Sequence, residues 1–202
     1  MANLTFDETS HIYQIDGGQV PSVTQICGLL TAEKYGNGGA MLGQAKRRGS
    51  AVHEYCELID YGAEPDEIEP ELLGYITAYL RFVRDYRPIW THIEHRTAHT
   101  LLKYAGTVDR IGCIDGKQTI VDWKTTANMD RVSKISLACQ LSGYDMALMD
   151  NGFPQAEQLW GVQLKRNGTY TIQDQAKIED KYKFNSRMTF LDLLSIKKLI
   201  GG

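Results

Sequence analysis

The stretch Ala105-Gly-Thr-Val-Asp-Arg-Ile-Gly-Cys-Ile-Asp-Gly-Lys-Gln-Thr-Ile-Val-Asp-Trp-Lys-Thr-Thr126 carries two acids and a lysine at a spacing that suits catalysis. Asp115-Gly116 is a strong two-residue hairpin turn. With that loop Ile114 faces Lys117, and Asp109 falls opposite Asp122. A four-residue loop would set Asp109 opposite Lys124 and diagonal to Asp122. Strand side chains alternate, so either loop leaves Asp109, Asp122 and Lys124 on one face, whereas a three-residue loop would reverse the parity. Two facing carboxylates repel and weaken a ladder, so a positive species is expected between them. Mg²⁺ or Mn²⁺ suits such hard oxygen ligands, and Lys124 adds an ammonium beside it. That combination can activate a water and stabilise charge building on a phosphate. A solvated sheet face of mixed charge is the plainer alternative.

Three further groups extend the constellation. Gly49-Ser-Ala-Val-His53 places an imidazole on a helix, one position round from the core-facing Val52. Gln140 and Tyr144 stand one helical turn apart on a shared face, although Tyr144 also fits the inward apolar row of Leu137, Leu141 and Leu148. Lys46-Arg47-Arg48 could hold a nucleic-acid backbone or be a solvated face. His92, His95 and His99, with Glu94 among them, form a rival set. On a helix they would gather for zinc, but Thr91, Ile93, Thr97 and Thr100 favour a strand, which would send His92 and His95 to opposite faces.

The elements that must position these residues follow from apolar periodicity. A short hairpin is expected over residues 11–21, turning at Asp16-Gly17-Gly18, then a capped short helix over 21–28 and a glycine-rich loop over 35–39. Helices are expected over 44–60 and 71–86, strands over 90–102, 104–114 and 118–125, and a helix over 130–150. Strands over 157–165 and 169–173 flank an Asn167-Gly168 turn, and a single helix is expected over 178–200. Such a mixture predicts an α/β protein with a central mixed β-sheet flanked by helices. No repeat or low-complexity tract interrupts the chain, so one domain is expected over 1–202, with an appended hairpin and short helix (1–40) and a helical C-terminal segment (176–202).

Composition narrows the classes. The chain has 202 residues, 43% of them hydrophobic and 23% charged, which excludes a disordered or fibrous protein. No apolar run is long enough to cross a bilayer and the N-terminus lacks signal-peptide character, so a soluble cytoplasmic protein is expected. The formal charge of −3 excludes a general polyanion-binding surface, and any nucleic-acid track must be narrow, with Lys46, Arg47, Arg48 and Arg110 as candidates. Four scattered cysteines show no CxxC pair, which suggests neither a zinc ribbon nor a disulfide framework.

In chain order these groups read GxxxH (Gly49/His53), GxxD (Gly106/Asp109), DxK (Asp122/Lys124) and QxxxY (Gln140/Tyr144). That series resembles the RecB-like branch of the PD-(D/E)XK nuclease superfamily, over about residues 11–165. Pro21-Ser-Val-Thr24 and Asp122-Trp-Lys-Thr-Thr126 are similar to segments of its phage-type exonucleases. The resemblance implies a restriction-endonuclease-like core and a Mg²⁺- or Mn²⁺-dependent DNA exonuclease. The alternatives are a structure-specific endonuclease of the same fold or an inactive nucleic-acid-binding relative. It makes Asp109, Asp122, His53 and the main-chain carbonyl of Trp123 metal ligands, and gives Lys124 the task of orienting or deprotonating the attacking water. Gln140 and Tyr144 would line the site and touch the strand. No cysteine follows Cys139, which departs from members that hold an iron–sulfur cluster. DNA, a single-strand annealing or recombination protein and further copies of the chain are the partners implied, with no membrane and, for a phage protein, the host cytoplasm as location.

Overall fold

The computed structural model describes residues 3–32, 39–63 and 67–200. Near its start burial alternates along the chain, with Tyr13 and Ile15 buried between exposed neighbours. This period of two builds a small antiparallel sheet of β1 (Leu4–Asp7), β2 (Ile12–Ile15) and β3 (Gly18–Val20). The expected hairpin is its second half, turned by positive φ at Asp16 and Gly17. β1 is an addition: Leu4-Thr-Phe-Asp7 alternates, but over only four residues. Ser22 then caps α1 (Val23–Cys27) in a reciprocal box with Gln25. Most of the glycine-rich 35–39 stretch lies outside the described residues.

Two helices cover one face of the main sheet. In α2 (Gly39–Asp60) Val52 and Cys56 stand one turn apart and are fully buried. In α3 (Leu73–Tyr86) Tyr75, Ile76, Tyr79 and Phe82 make a wide apolar stripe, and the helix stops where Arg87 turns left-handed before Pro88. Both pack on Ile114, Val121, Trp123 and Val162.

The sheet runs in order β4 (Ile89–His99), β5 (Tyr104–Ile114), β6 (Lys117–Lys124), β7 (Gln158–Leu164), β8 (Tyr170–Asp174). All neighbours are antiparallel except β6 and β7. That parallel pair requires a crossover, supplied by α4 (Arg131–Asp150), whose first turn is capped by Asp130. The mixed α/β fold with a helix-flanked mixed sheet is thus as expected. The tail is a correction: it forms α5 (Gln175–Tyr182) and α6 (Ser186–Ile200), not one helix. Lys183 adopts φ 54° and ends α5, and the Asn185 side chain accepts from the Met188 N–H to start the next. α1, α4 and α6 share the core on the second face. Among the described residues no helix is long and apolar enough to cross a membrane.

Register decides where the acids go. Ile114 pairs with Lys117 around Asp115 and Gly116, both at positive φ, and this two-residue register continues to Arg110 opposite Val121. There the β5–β6 ladder ends, one step short of Asp109 and Asp122. Asp122 and Trp123 go on pairing only with β7, and the Trp123 N–H donates to Asp109 Oδ2 at 2.7 Å instead of to a backbone carbonyl. On the other edge of β5, Ile93 pairs with Arg110 and His95 with Val108, which sets Glu94 in register with Asp109. Glu94 has φ 47°, a conformation that costs a non-glycine residue on the order of 1 kcal/mol or more.

Candidate active site

The fork between β5 and β6 collects side chains from four elements. Asp109 from β5 is buried and Asp122 from β6 more so. From α2, His53 places Nδ1 3.5 Å from Asp109 Oδ2 and Nε2 3.2 Å from the Trp123 carbonyl. An Nε2–H donated to that carbonyl leaves the Nδ1 lone pair turned toward the acids, the tautomer a metal ligand needs. On the far side Lys124 Nζ lies 2.6 Å from Asp122 Oδ2 and donates to Gln140 Oε1 at 3.2 Å. Gln140 Nε2 donates in turn to Asp122 Oδ1 at 2.6 Å and to the Tyr144 hydroxyl at 3.1 Å. His53, Asp109, Asp122, Trp123, Lys124, Gln140 and Tyr144 thus form one connected set.

One glycine of the motifs has a steric reason. A Cβ on Gly106 would lie 2.8 Å from Tyr144 Cε1, so its absence lets Tyr144 reach Gln140. Gly49 is looser, with Thr125 Oγ1 3.5 Å from its Cβ position.

Glu94 was missed as part of this site. His53, Glu94 and Asp109 each offer a ligand atom within 4.8 Å of the others. The facing-carboxylate argument made for Asp109 and Asp122 therefore applies also on the opposite edge of β5. Burial first, and then the charge of Asp109, push the Glu94 carboxyl up to about 8 despite the opposing pull of Arg110. Burial likewise pushes Asp122 up to about 6, against the pull of Lys124 and with the repulsion of Asp109. For Lys124 burial acts to lower the pKa, but Asp122 and Asp109 outweigh it and the ammonium is held above its ordinary value. Burial and the same two acids keep the Tyr144 phenol protonated.

These donors fit a hard divalent cation. Carboxylates and one imidazole converge in a place where cation-free acids are forced toward protonation. Asp122 Oδ2 is buried and faces the Lys124 ammonium at 2.6 Å. Asp109, Glu94 and His53 would hold the ion, with Asp122 and the second lone pair of the Trp123 carbonyl as further oxygen donors.

Arg110 corrects an expectation. It is fully buried rather than on a nucleic-acid track. Its Nε donates to Asp60 Oδ2 at 2.6 Å, and its Nη1 to Glu94 Oε1 at 3.1 Å and to the Asp109 carbonyl at 2.6 Å. Asp60, which also accepts from Tyr79 and Trp90, is the second residue that sequence spacing gave no reason to select. Lys46 and Arg47 are exposed on α2, whereas Arg48 is half-buried with its guanidinium over the Tyr75 ring. The histidines 92, 95 and 99 do lie on a strand, as their neighbours predicted. The irregular backbone around Glu94 nevertheless brings the His92 and His95 rings to 4.8 Å instead of opposite faces, while His99 lies 3.6 Å from Asp150.

No curated protein matches the chain in a sequence comparison. A family model does match residues 60–192, that of the PD-(D/E)XK nuclease superfamily. The match takes in Asp109, Asp122, Lys124, Gln140 and Tyr144 and begins after His53 and the N-terminal sheet. That family consists of nucleases that use divalent metal ions, in agreement with the donor set at the fork of β5 and β6. The chain belongs to the PD-(D/E)XK nuclease superfamily.

Proposed function

We propose that this protein is a Mg²⁺- or Mn²⁺-dependent deoxyribonuclease of the RecB-like, phage-type exonuclease kind. The observation that carries the reading is the unbroken series of contacts from His53 through Asp109, the Trp123 peptide and Asp122 to Lys124, Gln140 and Tyr144. It joins hard metal donors to an ammonium and a phenol in one place. A divalent ion held by the acids and His53 supplies, when bound, a more acidic water and a counter-charge for the phosphate.

The chain's own residues do the rest. Asp122 and Asp109 favour the charged form of Lys124, which suits it to orient the water and stabilise charge on a phosphate oxygen. Gln140 fixes Lys124 against Asp122, and Tyr144 offers a neutral hydroxyl to the strand. Lys46 and Arg47, on the same helix as His53, extend the positive charge that a DNA backbone needs. An annealing or recombination protein as partner, assembly of several copies and a cytoplasmic location belong to the same reading.

End-labelled linear DNA and closed circular DNA, each with Mg²⁺, Mn²⁺ or EDTA, test it. Linear DNA should be digested with either metal and spared in EDTA, and circular DNA should survive. Cleavage of the circle would replace exonuclease by endonuclease. Asp122→Asn and Lys124→Ala should each abolish digestion in a folded protein. Digestion at the normal rate by both would overturn the assignment.

A further inference from the structure

The N-terminal sheet lies outside the residues that match the family, yet it walls a cleft beside the acids. This cleft, of about 630 Å³, is lined by Phe6, His11 and Tyr13 from the small sheet, Glu57 from α2, and Glu94 and Arg96 from β4. A volume of that size falls within the ~300–1,000 Å³ typical of small-ligand sites. It adjoins a second, smaller depression that contains His53 and shares Ser50, Glu57 and Glu94 with it. The cleft therefore opens directly from the proposed metal site.

Its walls are planar. Tyr13 and Phe6 lie ring to ring with centroids 4.4 Å apart, and the Arg96 guanidinium sits 4.8 Å over the Phe6 ring. Arg96 is held there by Glu8 at 2.7 Å, and the Tyr13 hydroxyl is fixed 2.7 Å from Thr107 Oγ1 on β5. His11, exposed and at φ 53°, adds a further ring 5.7 Å from Phe6. Rings and a guanidinium plane are what nucleobases stack on. The carboxylate of Glu57 disfavours a phosphate here but can accept from a base amino group.

We infer that this cleft is a nucleobase pocket that takes an unpaired base next to the bond being cut, so that the substrate is single-stranded DNA or the frayed end of a duplex. A base inside a duplex has both faces covered by its neighbours and cannot enter. This inference rests on the nuclease reading and specifies its substrate.

The test is binding in EDTA of a short single-stranded DNA carrying terminal 2-aminopurine, and of the same strand fully paired. Wild-type protein should quench the fluorescence of the single strand, as stacking does, and bind it more tightly than the blunt duplex. Phe6→Ala should lose the quenching and bind the single strand about 5- to 150-fold more weakly, the range for one base–aromatic stack. Melting curves check that the variant folds, and the exposed His11→Ala supplies an independent variant, expected to weaken binding in the same direction. Equal affinity for both DNAs without quenching, or variants that bind and quench as wild type does, would overturn the pocket. A wild-type protein that digests DNA but shows no quenching discards the pocket and leaves the nuclease reading standing. Failure of the wild type to cut any DNA with either metal discards the nuclease reading, while the binding data still judge the pocket.

Discussion

The two sides of the β5–β6 fork solve the same electrostatic problem differently. On the β6 side Asp122 is matched by Lys124, and Gln140 ties both into a chain that ends at Tyr144. On that side the acid and the ammonium offset each other. On the β5 side Glu94 and Asp109 face each other across the ladder with His53 between the strands and α2. The nearest cation, Arg110, is already shared with Asp60. Negative charge is left in excess there, and the left-handed backbone at Glu94 shows that the chain is held in that arrangement at a cost. The β5 side is therefore where a cation is wanted. The β6 side is where groups are poised to act on a substrate.

The largest expected effect separates the two by substitution. Asp109→Asn should lose both Mn²⁺ binding, read by calorimetry, and DNA cleavage, by about 10³-fold or more on the scale of a lost transition-state contact. Lys124→Met should lose cleavage on a similar scale and retain Mn²⁺ binding. If both variants lose metal equally, the division into a metal-holding and a substrate-acting side is wrong.

Arg110 marks the next effect. Arg110→Met leaves the buried Asp60 carboxylate and the half-buried Glu94 without their cation, and removing one partner of a buried pair such as Arg110–Asp60 costs roughly 3–5 kcal/mol. Urea unfolding of the metal-free variant should show a loss of that order. A loss under about 1 kcal/mol would mean that the buried pair carries little of the fold.

Much of the β6 side was legible in the sequence because its spacing is local. Asp115-Gly116 fixes a two-residue loop, parity then carries Asp122 and Lys124 to one face, and Gln140 and Tyr144 are one helical turn apart. The helices expected over 21–28 and 130–150 start at Val23 and Arg131, capped by Ser22 and Asp130. The β5 side was half hidden. The connection from His99 to Tyr104 carries no turn signature, and β4 shifts register between Trp90 and His92, so counting could not set Glu94 opposite Asp109. Arg110 looked like a surface cation because its partner Asp60 is fifty residues away and enters only through helix packing. The break at Lys183 was missed because no glycine or proline marks it in the sequence.

The smallest effect tests the imbalance itself. In the unfolded chain Glu94 and Asp122 titrate near ordinary carboxylate values, whereas in the fold they are pushed to about 8 and about 6. Between about pH 5 and 8 these two acids bind more protons in the folded metal-free protein than in the unfolded chain and so make stability fall as pH rises. His95 and His99, held below their ordinary value by burial, give the opposite slope up to about pH 7. The acids held low by local contacts, such as Asp85 and Asp150, lose their contribution only as pH falls toward or below 4, outside this window. Above about pH 7, where those imidazoles are neutral in both states, the melting temperature in EDTA should therefore decline toward pH 8, and saturating Mn²⁺ should flatten the decline by stabilising the ionised acids. Glu94→Gln removes the group that titrates highest and relieves the facing pair. It should raise metal-free stability at pH 8 by about 0.2–1 kcal/mol, the worth of one cross-strand charge pair, and remove most of the decline above about pH 7. An unchanged decline in that variant would return the excess charge to Asp122, and the two sides of the fork would no longer differ in the way proposed.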